Sequence, residues 1–176
     1  MIVLVEAALA HAFADGWCAS KYDGWPFYRE HLESAFGGAK GVDIVALDPT
    51  GTLWLIEVKD LRRHRRTKPL ELEAEVAFKV RDSLAGLLAA ATWHAEHANQ
   101  LDARAHVRAR KLRVVLHLEQ PALHSKLFPR AYDPAKVQQR LKQLVKAVDA
   151  HPTVVDVATS ARLPWTVTIA STTSPA

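Results

Sequence analysis

Val42-Asp43-Ile44-Val45-Ala46-Leu47, then Asp48-Pro49-Thr50-Gly51, then Thr52-Leu53-Trp54-Leu55-Ile56-Glu57-Val58-Lys59: this stretch decides the fold. Two aliphatic, β-branched runs flank a four-residue group of strong turn formers, which is the pattern of a β-hairpin. Alternate side chains of a strand point to opposite faces. Here Val45, Leu47, Leu53 and Leu55 fall on one face, and Ile44, Ala46, Trp54 and Ile56 on the other. Strands apolar on both faces belong to a sheet covered on both sides. The expectation is an α/β domain whose mixed central sheet is flanked by helices on both faces.

Around the hairpin, Ile2, Val5, Leu9 and Phe13 keep helical spacing, so residues 2–14 are expected as a helix stopped by Asp15-Gly16. A short strand is expected over 17–22 and a second helix over 27–36. Residues 70–98 carry the longest helical pattern, with Val76, Val80, Leu84, Leu87, Leu88 and Ala91 on one side. A strand over 112–118, an amphipathic helix over 135–150 and late strands over 154–157 and 165–169 complete the order. Residues 1–170 read as one domain, followed by a small polar tail, 171–176, expected to fray.

The chemistry concentrates at the open end of the hairpin. With the turn centred on Thr50, Leu47 faces Leu53, Val45 faces Leu55 and Asp43 faces Glu57, with Lys59 on the same face as Glu57. A slip of one residue would separate the two carboxylates, and the apolar pattern alone permits it. Opposed carboxylates at the end of an apolar hairpin repel each other and call for a cation. Lys59 supplies part of that charge. A hard divalent ion, which takes carboxylate, water and phosphate oxygens, would supply it better. A lysine beside such an ion can orient or help deprotonate an attacking water.

These residues resemble the core motif of the PD-(D/E)XK nuclease superfamily, whose fold is restriction-endonuclease-like. Val42 stands where the motif's proline would be. The upstream stretch is similar to that of archaeal Holliday-junction resolvases. The resemblance takes in roughly residues 3 to 118, with an insertion over 16–42 relative to those enzymes. It implies hydrolysis of a phosphodiester, with DNA as the expected substrate. Asp43 and Glu57 would hold Mg²⁺ (or Mn²⁺), joined by Glu6 as a first-helix glutamate, and Lys59 would stand near the attacking water. It also implies a homodimer or a partner subunit. A module of the same fold that binds nucleic acid or protein without turnover is the alternative.

Charge agrees with a polyanionic partner. The net charge is +4 and the isoelectric point about 9.3, with Arg62, Arg63, Arg65, Arg66 and Lys68 crowded just past the motif. A second basic stretch runs from Arg104 to Arg113. No base-reading motif accompanies them, so these contacts predict little sequence specificity.

The single cysteine, Cys18, excludes an internal disulfide and a thiolate-rich zinc site. It reads as structural, and His117 as a satisfied core residue. His94 and His97 would share a helix face. The N-terminal apolar run lacks a basic start and is broken by Glu6, and no apolar stretch is long enough to span a bilayer. The expectation is a cytoplasmic protein with no membrane partner.

Overall fold

The computed structural model describes residues 1–62, 66–121 and 131–170. Its centre is a five-stranded mixed sheet in the order β3(Cys18–Lys21), β4(Ile44–Leu47), β5(Thr52–Asp60), β6(Lys111–Glu119), β7(Thr153–Val155). The first two pairings are antiparallel and the last two parallel. Parallel neighbours need a crossover. The helices α2(Leu72–Thr92) and α3(Gln100–Val107) lie between β5 and β6, and α4(Pro134–Val145) between β6 and β7. The chain is thus mixed α/β, as the sequence reading expects.

The hairpin has the expected register. Ile44 pairs with Ile56, Val45 with Leu55 and Leu47 with Leu53. The turn is what fixes it. Asp48 accepts hydrogen bonds on Oδ1 from the backbone N–H groups of Thr50 (2.8 Å) and Thr52 (3.0 Å) and on Oδ2 from Trp54 Nε1 (3.0 Å). Gly51 adopts φ +84°, which a side chain would strain. A slipped register would forfeit this whole set.

Only one face of the sheet carries the long helices. Leu53, Leu55, Val114 and Leu116 pack with Val76, Val80, Leu87 and Leu141 of α2 and α4. The other face buries Ile44, Ile56 and Val115 against Leu9, Phe13 and Trp165. These come from a second, three-stranded antiparallel sheet, β1(Ile2–Glu6), β2(Leu9–Phe13) and β8(Thr166–Ile169), and from the segment before β8. Helices on both faces is therefore corrected to helices on one face and a sheet on the other. Either cover satisfies strands that are apolar on both sides, so the hairpin pattern could not tell them apart.

The same finding corrects the helix expected over 2–14. Ala7 and Ala8 take φ +47° and +64°, a two-residue turn that joins β1 to β2. Leu9, His11 and Phe13 are fully buried with period two. The helical spacing of Ile2, Val5, Leu9 and Phe13 coincides with this alternation, and the turn uses alanines rather than the glycine or asparagine that would have announced it.

Smaller differences follow local causes. The pattern over 70–98 ends at Thr92, because Trp93 leaves helical geometry at ψ 139°. His94 and His97 therefore sit between α2 and α3. The helix over 27–36 shortens to α1(Pro26–His31). Asp133 caps α4 by accepting from the Ala135 N–H at 3.0 Å. Among the described residues no helix is long and apolar enough to cross a membrane.

Between the two sheets lie two fully buried histidines, His11 and His117, with ring centroids 5.5 Å apart. His11 Nδ1 accepts from Trp165 Nε1 at 3.2 Å, and His117 Nε2 donates to Glu119 Oε1 at 2.8 Å. His117 is thus satisfied at one nitrogen, while its Nδ1 and His11 Nε2 have no partner among the described residues. Burial first, and the neighbouring His117 second, lower His11 to about 4.

Two outcomes follow. Replacing Asp48 with Ala is expected to lose about 2 kcal/mol, seen as a lower urea midpoint at unchanged slope. His11 is also expected to make the protein less stable as pH is lowered. Below pH 6.5 the unfolded chain takes up a proton at His11 that the folded chain refuses until about 4. This costs about 3 kcal/mol across that window. The wild-type slope should exceed that of His11→Gln, measured by denaturation at stepped pH.

Candidate active site

Alternation along β5 sends Leu53, Leu55, Glu57 and Lys59 toward the helices, and the hairpin register brings Asp43 beside Glu57 on that side. Glu57 is fully buried and Asp43 is 8% exposed. Asp43 Oδ2 accepts the Val58 N–H at 2.7 Å, which ties its carboxylate across the hairpin. Lys59 donates to Glu57 Oε1. The structure therefore brings Asp43, Glu57 and Lys59 together, as the sequence geometry expects.

Two further residues arrive on α2. Lys79 Nζ lies 3.3 Å from Asp43 Oδ1, 2.7 Å from Glu57 Oε1 and 2.9 Å from Glu57 Oε2. Glu75, one turn earlier, lies 3.4 Å from Lys59 Nζ and also takes Arg66 (2.6 Å) and Lys68 (2.7 Å). The sequence carries a signal for both that periodicity alone passed over. Glu75, Lys79 and Ser83 form a polar stripe with i, i+4 spacing beside the apolar stripe of α2. Ser83 Oγ accepts the Val42 N–H at 2.8 Å, so the stripe docks onto the segment that carries Asp43 into β4.

Burial, then the Asp43 charge, raise Glu57 to about 7, against the pull of Lys79 and Lys59. Burial acts to lower Lys79, yet the Glu57 and Asp43 carboxylates outweigh it and hold the ammonium above its ordinary range. Glu75 is lowered to about 2, because its hydrogen bonds from Lys68 and Arg66 outweigh burial. Glu57 is thus the strained charge of the cluster.

Glu6 stands apart from this group. It lies on β1, not on a helix, and its carboxylate pairs with Lys21 at 2.6 Å. The expected phosphate clamp is partly spent inside the protein. Arg62 forks onto Asp60, and Arg66, only 8% exposed at its side chain, is committed to Glu75. Lys68 keeps about half its side chain in solvent, at 54%. Arg63 and Arg65 lie outside the described residues. Cys18 donates to Asp102 Oδ1 at 3.6 Å, and burial pushes its thiol up to about 11, which fits a structural role. His97 stacks on Phe27 at 4.5 Å and donates to the Ala90 carbonyl, so it also serves packing.

Whether the cluster suits a divalent cation turns on its donors. Asp43 and Glu57 offer hard oxygens in the number Mg²⁺ commonly takes from protein. No group of three or more acidic, histidine or cysteine side chains is arranged for a metal among the described residues. The two carboxylates could hold an ion only with water and phosphate completing its shell and with the Lys79 ammonium withdrawn from between them.

No family model matches the chain. No solved structure matches it either. Among curated proteins it is similar to the Cysteine--tRNA ligase of Neisseria meningitidis serogroup A / serotype 4A (strain DSM 15465 / Z2491), 32% identical over 168 residues. That match covers 78% of this chain, but the chain spans only 24% of the ligase.

Removing the α2 ammonium should expose the strain on Glu57. Lys79→Met is expected to destabilise the protein by about 3 kcal/mol, because it leaves buried carboxylates under-compensated. Adding Glu57→Gln to it should return more than half of that loss, read by urea denaturation as a double-mutant cycle.

Proposed function

We propose that this chain is a metal-dependent nuclease of the PD-(D/E)XK type, cutting phosphodiester bonds of DNA in the cytoplasm. One observation carries the reading: Asp43 lies beside a fully buried Glu57 across the hairpin, with Lys59 on the same face. An antiparallel hairpin followed by a helical crossover to a parallel strand supports it, since the motif's resemblance carries that context. A homodimer or a partner subunit belongs to the same proposal.

In this mechanism Asp43 and Glu57 would hold Mg²⁺, or Mn²⁺ in its place. The chemistry such an ion would supply is polarisation of a phosphoryl oxygen and activation of a water. Lys59, 18% exposed at its side chain, stands at the mouth of the cluster, where it orients the attacking water against the phosphorus. Glu75 fixes Lys59 from the α2 side. Lys79 helps balance the carboxylates in the resting site and would be released toward the substrate's phosphate if they held the ion.

The rival reading, a nucleic-acid-binding module without turnover, has its own observation. The Lys79 ammonium already bridges the two carboxylates and Lys59 pairs with Glu57, so their charge is balanced without a metal. The ligase relative is named for tRNA, which makes RNA a necessary arm of any substrate panel.

Wild type, Asp43→Ala and Lys59→Ala should be compared on single-stranded, duplex and branched DNA and on RNA, with Mg²⁺ or Mn²⁺. Cleavage by wild type is expected to drop at least roughly a hundredfold in both variants. Divalent-ion binding by calorimetry should vanish in Asp43→Ala. Failure to cut any substrate, with no ion bound through Asp43, would reduce the cluster to a structural ion-pair network.

A further inference from the structure

A groove of about 420 Å³ adjoins the Asp43–Glu57 cluster: Glu75 and Lys79, which pair with that cluster, also form the groove wall. Four cationic side chains, Lys40, Lys68, Lys79 and Arg81, line it against two carboxylates, Glu75 and Asp82. That balance suits a polyanion. Arg81 pairs with Asp82 (2.8 Å) and Lys68 with Glu75 (2.7 Å), yet they keep 69% and 54% of their side chains in solvent, at the rim of the groove.

The wall also contains an exposed aromatic ring. Phe78, next to Lys79 on α2, is 46% exposed, and the Arg81 guanidinium carbon lies 4.9 Å from its ring centre. The ring's other face has no aromatic or cationic partner among the described residues. Pro69 and the 40% exposed Leu70 stand beside it. A cationic track with a free aromatic face is the recognition chemistry of single strands, because bases inside a duplex show no face to stack on. That the strand is DNA rather than RNA is taken from the nuclease reading.

From this we infer that the groove is the strand-entry site for single-stranded DNA. Phe78 stacks on a base, Lys68 and Arg81 hold the flanking phosphates, and the backbone is led to Asp43 and Glu57. The inference deepens the nuclease reading and rests on it for the path's destination.

Binding in EDTA tests it apart from cleavage. Fluorescence anisotropy would follow labelled oligodeoxythymidylate, oligouridylate and a DNA hairpin duplex of equal length. Wild type is expected to bind oligodeoxythymidylate at least roughly tenfold tighter than the duplex. Phe78→Ala should lose roughly tenfold or more for the single strand alone, while Phe78→Trp keeps wild-type affinity. Lys68→Ala should flatten the salt dependence by about one phosphate contact. Equal affinity for duplex, tighter binding of oligouridylate, or an unchanged Phe78→Ala would overturn the inference. A protein that passes these tests yet never cuts with Mg²⁺ would refute the nuclease reading and leave the groove assignment standing.

Discussion

A carboxylate without solvent is the constraint around which this structure is arranged. Glu57 sits on the central strand of a five-stranded sheet, and its neighbour across the hairpin is another carboxylate. Charge cannot be left there unanswered, because low dielectric multiplies both its desolvation and its repulsion. The answer comes from two directions. β5 supplies Lys59 two residues on, and α2 supplies Lys79 from the crossover. Glu75 then holds Lys59 from the α2 side and is itself paired with Arg66 and Lys68. Turn, strand, crossover helix and following loop are linked through this one side chain.

That linkage explains what the sequence disclosed. Pairing was legible because Asp48, Pro49 and Gly51 specify a turn, and a turn specifies a register. Once the register was set, alternation alone put Asp43, Glu57 and Lys59 on one face. Lys79 was out of reach of such reasoning. Its contact with Asp43 depends on the angle at which α2 crosses the sheet, and side-chain spacing within one element does not encode that angle. Glu6 failed for a different reason. Its role depended on a helix, and the Ala7–Ala8 turn makes that segment a strand.

The cover on the second face is a related lesson. An apolar strand face states that something must pack on it, without stating what. Leu9, His11 and Phe13 satisfy it from a strand, using the period of two that a helical reading of Ile2, Val5, Leu9 and Phe13 overlooked. The buried His11 is the part with least sequence precedent, since an imidazole facing another imidazole inside a sheet-on-sheet layer serves no obvious packing need.

That second sheet also has a temporal meaning. Its middle strand, β2, ends at Phe13, while its partner β8 begins at Thr166. On a ribosome, β1 and β2 would emerge long before β8 and wait for it before their outer edge is closed. Until then β2 presents unpaired backbone and a bare apolar face, the condition in which strands pair with the wrong neighbour. The loop that must close is long, so this step is entropically slow and late. Of all the layers, this one sets when the chain is safe from aggregation, whatever chemistry its opposite face performs.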